Sequence, residues 1–112
     1  MDDTIFKVYN LEELILKVNA WHHARNLIQG STDAAQYVKL SEESGELAGN
    51  IARGKDIRDD IGDMLVVLIN IATRNGHTLQ QCLEVAYNDI KDRKGKMVDG
   101  VFIKESDLTN NS

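Results

Sequence analysis

Two pairs of acidic residues are the part of this chain best suited to chemistry. Glu43 and Glu46 lie in the run Glu42-Glu43-Ser44-Gly45-Glu46, and after thirteen intervening residues (47 to 59) comes Asp60-Ile61-Gly62-Asp63. Within each pair the acids stand three apart, so on an α-helix they share a face with Cβ atoms roughly 5–6 Å apart. Four anions gathered in one place repel each other unless a hard divalent cation holds them, and Mg²⁺ or Mn²⁺ accepts an all-oxygen site. Such a cation suggests phosphate as the reacting group. The plain alternative is two solvated helix faces. Against it, the three-residue spacing recurs, and Asp63 falls in the chiefly apolar stretch 61–71, where an unpaired carboxylate is costly to bury. Gly45 and Gly62 sit inside the two motifs. Glycine costs about 1 kcal/mol against alanine in a helix interior, and a close approach of the two helices would account for both.

The elements that must position these acids are helical. The chain has no proline, and its apolar residues recur at three- and four-residue intervals. Asn10 with Glu13 resembles a capping box opening a first helix, with Leu11, Leu14, Ile15 and Val18 in one stripe and Gly30 as its end. Ser31, Thr32 and Asp33 offer the cap of a second helix to about Arg53, with Val38, Leu40, Leu47, Ala48 and Ile51 apolar and Gly54 at the C′ place. It carries the first acidic block. Asp56 can cap a third helix whose Ile57, Ile61, Met64, Leu65, Leu68 and Ala72 face a core before Gly76, and this helix carries the second block. Thr78 and Gln81 open a fourth, with Leu79, Leu83, Ala86 and Ile90, to about Lys94. Then Val98 and Val101 flank Asp99-Gly100, a strong short signal for a β-hairpin. The expected organisation is an N-terminal extension over 1–10, one all-α, four-helix domain with a short C-terminal hairpin over 11–104, and a flexible tail over 105–112.

Composition bounds the function classes. At 112 residues the chain is one domain, small enough for oligomerisation to supplement its core. The net charge of −5 argues against a bound nucleic-acid polymer, which needs a basic stripe. Cys82, the one cysteine, cannot form an internal disulfide and reads as a buried core thiol in a reducing cytoplasm. The longest apolar run, Met64 to Ile69, is too short to span a bilayer, and no signal-peptide pattern is present, so a soluble cytoplasmic protein is expected. The residues three before His22, His23 and His77 are Asn19, Ala20 and Arg74, so the Glu-x-x-His of di-iron bundles is missing. Trp21 is either a core aromatic or a stacking wall for a nucleobase. One of His22 and His23 is expected to face solvent, and His77 to lie in a loop.

With these motifs, the chain from about Trp21 to Lys94 resembles the MazG-like, all-α nucleoside triphosphate pyrophosphohydrolases, whose signature is Glu-Glu-x-x-Glu followed by Glu-x-x-Asp. Glu42, Glu43, Glu46 and Asp63 match, Asp60 stands where Glu is more usual, and Trp21 and Arg25 supply the Trp-x-x-x-Arg that precedes the acids. The resemblance implies Mg²⁺-dependent hydrolysis of nucleoside triphosphates to monophosphate and pyrophosphate, by a homodimer or homotetramer. The implied cation ligands are Glu43, Glu46, Asp60 and Asp63, with Glu42 and Glu43 in catalytic roles. Lys91, Arg93 and Lys94 fall where the family carries phosphate contacts, although cations also suit the last turn of any helix. Asn88, three before Lys91, and Trp21 would lie nearer the sugar or base, with Arg25 a further substrate-binding residue. Gln36 and Lys39, on the two turns before Glu43, would line the pocket, though Lys39 with Glu43 is also an ordinary i,i+4 ion pair. The rival reading is a non-catalytic helical dimer that binds a nucleotide or a partner protein through its acidic face.

Overall fold

The computed structural model describes residues 8–108. They form α1 (Leu11–Ala24), α2 (Asp33–Ala52), α3 (Arg58–Arg74), α4 (Leu79–Ile90), β1 (Gly95–Val98), β2 (Val101–Lys104) and a four-residue turn of helix, α5 (Glu105–Leu108). The protein is thus mostly helical, with a small antiparallel hairpin near its C-terminus. Residues 1–7 of the expected extension and 109–112 of the expected tail lie outside the described residues, while 105–108 of that tail are the helical turn. The chain divides into two compact units, Met1–Leu79 and Gln80–Ser112.

In the first unit α3 packs against both α1 and α2. The helix starts follow their caps: Asn10 Oδ1 accepts from the Glu13 N–H at 2.8 Å, and Thr32 Oγ1 from the Ala35 N–H at 3.1 Å. Asp56 is not the cap residue of α3, which is Ile57. Its carboxylate still accepts from the Arg58 N–H at 3.0 Å, and hydrogen bonds from the Arg58 guanidinium and backbone lower its pKa to about 2.

All three helix ends share one device. Asn26, Gly54 and Gly76 take positive φ of 56°, 67° and 77° just past the cap. The next N–H then reaches back to the helix, from Leu27 to His22 O, Lys55 to Asn50 O and His77 to Ala72 O, each at 2.9 Å. This ends α1 at Ala24 rather than Gly30, because asparagine also tolerates the left-handed region. Gly30 serves a different need: a Cβ there would lie 2.5 Å from the Asn26 carbonyl oxygen. The ends are tied together where Arg74 Nε donates to Asp33 Oδ1 at 3.1 Å and Asn75 Nδ2 to Asp33 Oδ2 at 3.1 Å, with Arg74 also donating to Ile28 O.

The buried face of α3 is not the one its leucines suggest. Asp60, Val67, Ile69, Asn70 and Ala72 are buried, whereas Ile61, Leu65 and Leu68 are exposed. The reason is polar. Asn70 donates from Nδ2 to Leu27 O at 3.0 Å and lies 3.4 Å from His22 Nδ1, while His22 Nε2 meets Val66 O at 3.0 Å. A carbonyl only accepts, so Nε2 carries the proton in that contact and Nδ1 faces the Asn70 amide. Thr73 Oγ1 donates to Asn19 Oδ1 at 2.7 Å, completing a polar seam between α1 and α3. His22 is accordingly buried, and His23 is the histidine that faces solvent.

In the second unit Gly95 pairs with Lys104 and Val98 with Val101. Asp99 and Gly100 take φ of 50° and 83°, the two positive values that a two-residue type I′ turn requires. The α5 turn packs against both strands. Cys82, expected in a core, is exposed.

Candidate metal centre

The helical spacing of the acids does what the sequence suggests for three of the four. Carboxylate oxygens of Glu43, Glu46 and Asp63 all lie within 4.8 Å of one another. Glu43 comes from the middle of α2, Glu46 one turn further on, and Asp63 from the second turn of α3, so the packing of α3 on α2 closes the cluster. Glu43 is 6% exposed, and among the described residues its Oε2 has no hydrogen-bond partner. Its Oε1 lies 3.3 Å from Lys39 Nζ. A buried, unpartnered carboxylate oxygen beside two further carboxylates is the donor set a hard cation takes.

The electrostatics record the crowding. The charge of Glu43, then burial, raises the Glu46 carboxyl above its ordinary value. Burial, then the charges of Asp59 and Glu43, raises Asp63. Lys39 is raised chiefly by its contact with Glu43.

Asp60 stands outside the set within 4.8 Å. It is 6% exposed and accepts a hydrogen bond from Asn50 Nδ2 at 2.9 Å. Glu42 is exposed on the neighbouring face of α2, with Oε2 3.7 Å from Lys39 Nζ. Lys39 is therefore engaged with both glutamates. Gln36 donates from Nε2 to Ser31 Oγ at 2.9 Å.

Trp21 is 46% exposed rather than a core aromatic, and the Arg25 guanidinium lies over its ring at 4.4 Å from the centroid. Arg25 also donates to Trp21 O at 3.3 Å. Asn88, Lys91, Arg93 and Lys94 belong to the second unit. Asn88 is on α4, and the other three follow its end at Ile90, earlier than the expected Lys94. Arg93 pairs with Asp89 at 2.9 Å, and Lys94 lends its carbonyl to the Glu105 N–H. Arg93 and Lys94 line an open groove of about 460 Å³ with Lys104, Asp89, Asp92 and Glu105, so its cations are matched by acids.

Sequence reasoning missed Asn50, whose only sequence signal is its place four residues after Glu46 on the same side of α2. It also took Gly45 and Gly62 as sites of close helix approach. A Cβ at either position would meet nothing within 4 Å, so neither glycine is required by packing.

No family model matches the chain, and no solved structure matches it. Over 68 residues it is 41% identical to an uncharacterized 18.2 kDa protein of the rep-hol intergenic region of Haemophilus phage HP1. That alignment takes in 59% of this chain and 42% of the phage protein, so the chain matches less than half the length of this relative. Among the described residues no helix is long and apolar enough to cross a membrane.

Proposed function

We propose that the chain hydrolyses nucleoside triphosphates, deoxynucleotides included, to the monophosphate and pyrophosphate, using a divalent cation held by Glu43, Glu46 and Asp63. The observation that supports this most is Glu43 Oε2, buried without a partner beside the carboxylates of Glu46 and Asp63. Mg²⁺, or Mn²⁺ in its stead, would there offset triphosphate charge and lower the pKa of an attacking water. Lys39 holds Glu43 Oε1, and Oε2 is the oxygen left for a cation. In this reading Glu42 accepts the proton of that water, a role that rests on the MazG-like resemblance, since its carboxylate pairs with Lys39 on the neighbouring face of α2. Water adds to the α-phosphorus, the bond from that phosphorus to the bridging oxygen breaks, and pyrophosphate leaves.

Trp21, 46% exposed with Arg25 across its ring, is the stacking residue for the base in this reading. Gln36 is a lining residue of the same reading. The choice of the α–β bond rests on the MazG-like resemblance. So does the homo-oligomer, dimer or tetramer, to which exposed Ile61, Leu65 and Leu68 on α3 and Tyr37 on α2 add an apolar surface suited to a second copy.

The test is a panel of deoxynucleoside triphosphates with Mg²⁺, the products resolved by anion exchange. Monophosphate with pyrophosphate, lost in Asp63→Asn, is the expected result. Diphosphate as the main product refutes the assigned bond. No product from any nucleotide favours a non-catalytic binder.

A further inference from the structure

Asp60 differs from the other acids in what it touches. Among the described residues, the hydrogen bond to its side chain comes from Asn50, on the last turn of α2. The Asn50 amide is itself oriented: Arg53 Nη2 donates to its Oδ1 at 3.0 Å, so its NH₂ end is committed to Asp60. Arg53 reaches back over Gly49, where a Cβ would lie 2.9 Å from Nη2, so the bare backbone there gives the guanidinium its room. The turn is held in turn by the Lys55 N–H, which donates to Asn50 O at 2.9 Å. Two residues on the α2 terminus thus cooperate on one buried carboxylate of α3.

The choice of a neutral donor has a consequence. An arginine paired directly with Asp60 would cancel its charge, whereas an amide fixes the carboxylate and leaves the charge in place. Asp60 lies three residues before Asp63 on α3, so the two carboxylates share a face of that helix and the Asp60 charge stands beside the cluster. We propose that Asn50, backed by Arg53, is a positioning residue that holds Asp60 beside the Glu43, Glu46 and Asp63 cluster, where Asp60 strengthens cation binding from outside the contact set. This rests on the cation reading given above.

The experiment is a Mn²⁺ titration of the full chain followed by electron paramagnetic resonance of the free ion, with far-ultraviolet circular dichroism of each variant. Wild type is expected to bind Mn²⁺, and Asn50→Ala to bind it about tenfold more weakly, in line with loss of an outer partner of a metal site. Arg53→Ala should lose a smaller factor, and Arg53→Lys, whose ammonium can still donate to Asn50 Oδ1, should recover wild-type affinity. A general loss of structure would not be rescued that way. If wild type binds Mn²⁺ and folded Asn50→Ala binds it within about twofold, the positioning role is wrong and the cation site stands. If wild type binds no Mn²⁺, the cation reading falls and this proposal falls with it. Should Asn50→Ala not fold, Asn50→Ser takes its place with the same two outcomes.

Discussion

Glu43 is costly as it stands: a carboxylate oxygen sealed from water without a partner forfeits about 1–3 kcal/mol, and more if charged. Its neighbours share the strain, because Glu46 is raised by the Glu43 charge and Asp63 by burial. With both folded values above the unfolded ones, the cation-free fold binds protons more readily than the unfolded chain. The resulting destabilisation is absent at low pH, where both groups are protonated in either state. It develops as pH rises from the ordinary carboxylate values, 3.8 for Asp and 4.5 for Glu, through the raised folded ones. A cation competes with those protons. The rise in melting temperature produced by Mn²⁺ should therefore be small near pH 4.5 and larger at neutral pH. Equal shifts at both would show that these carboxylates are not where the ion binds. Glu46→Gln and Asp63→Asn each remove one anionic donor, and turnover should fall by at least about 100-fold, the upper range for losing merely an outer partner.

The helices separate two uses of glycine. Gly76 ends α3 at a φ of 77° with open space around its Cβ position, so Gly76→Ala isolates the cost of the left-handed backbone and should destabilise by about 1–2 kcal/mol. Gly45 and Gly62 lie within α2 and α3 at ordinary φ, also with open space. Gly45→Ala and Gly62→Ala should each stabilise by up to about 1 kcal/mol, read from urea midpoints at unchanged slope. The terminal glycines were legible in the sequence because turn chemistry is local: Gly54, Gly76 and the Asp99-Gly100 pair all fall where expected. The end of α1 was not legible, since Asn26 occupies a position that glycine usually signals. Nor was the rotation of α3. Apolar periodicity favours Ile61, Leu65 and Leu68 as the core face, but hydrogen bonds of Asn70 and His22 decide the matter, and no local pattern announces a partner 48 residues away. The same limit hid the set-apart position of Asp60, which depends on Asn50.

For the molecule as a whole, the apolar residues left on the surface of the first unit matter most. Ile61, Leu65 and Leu68 occupy one side of α3, and Tyr37 is 63% exposed on α2 beside a hollow lined by Leu40 and Met64. These exposed side chains are the surface proposed above for a second copy. Sedimentation at micromolar concentration should give a dimer or larger species, and Leu68→Glu should shift it toward the 12.5 kDa monomer. A wild-type monomer would sink the assignment. The polar seam between α1 and α3 constrains the molecule in another way. Sliding α1 by one turn, about 5.4 Å, would still let methyl groups meet methyl groups, but it would part Asn19 from Thr73 and His22 from Val66 together. An oily interface tolerates several alignments, whereas this one works as a key with a single notch. Because Trp21 adjoins His22 in sequence, the notch also sets the height at which the exposed indole and its arginine cover stand along α3.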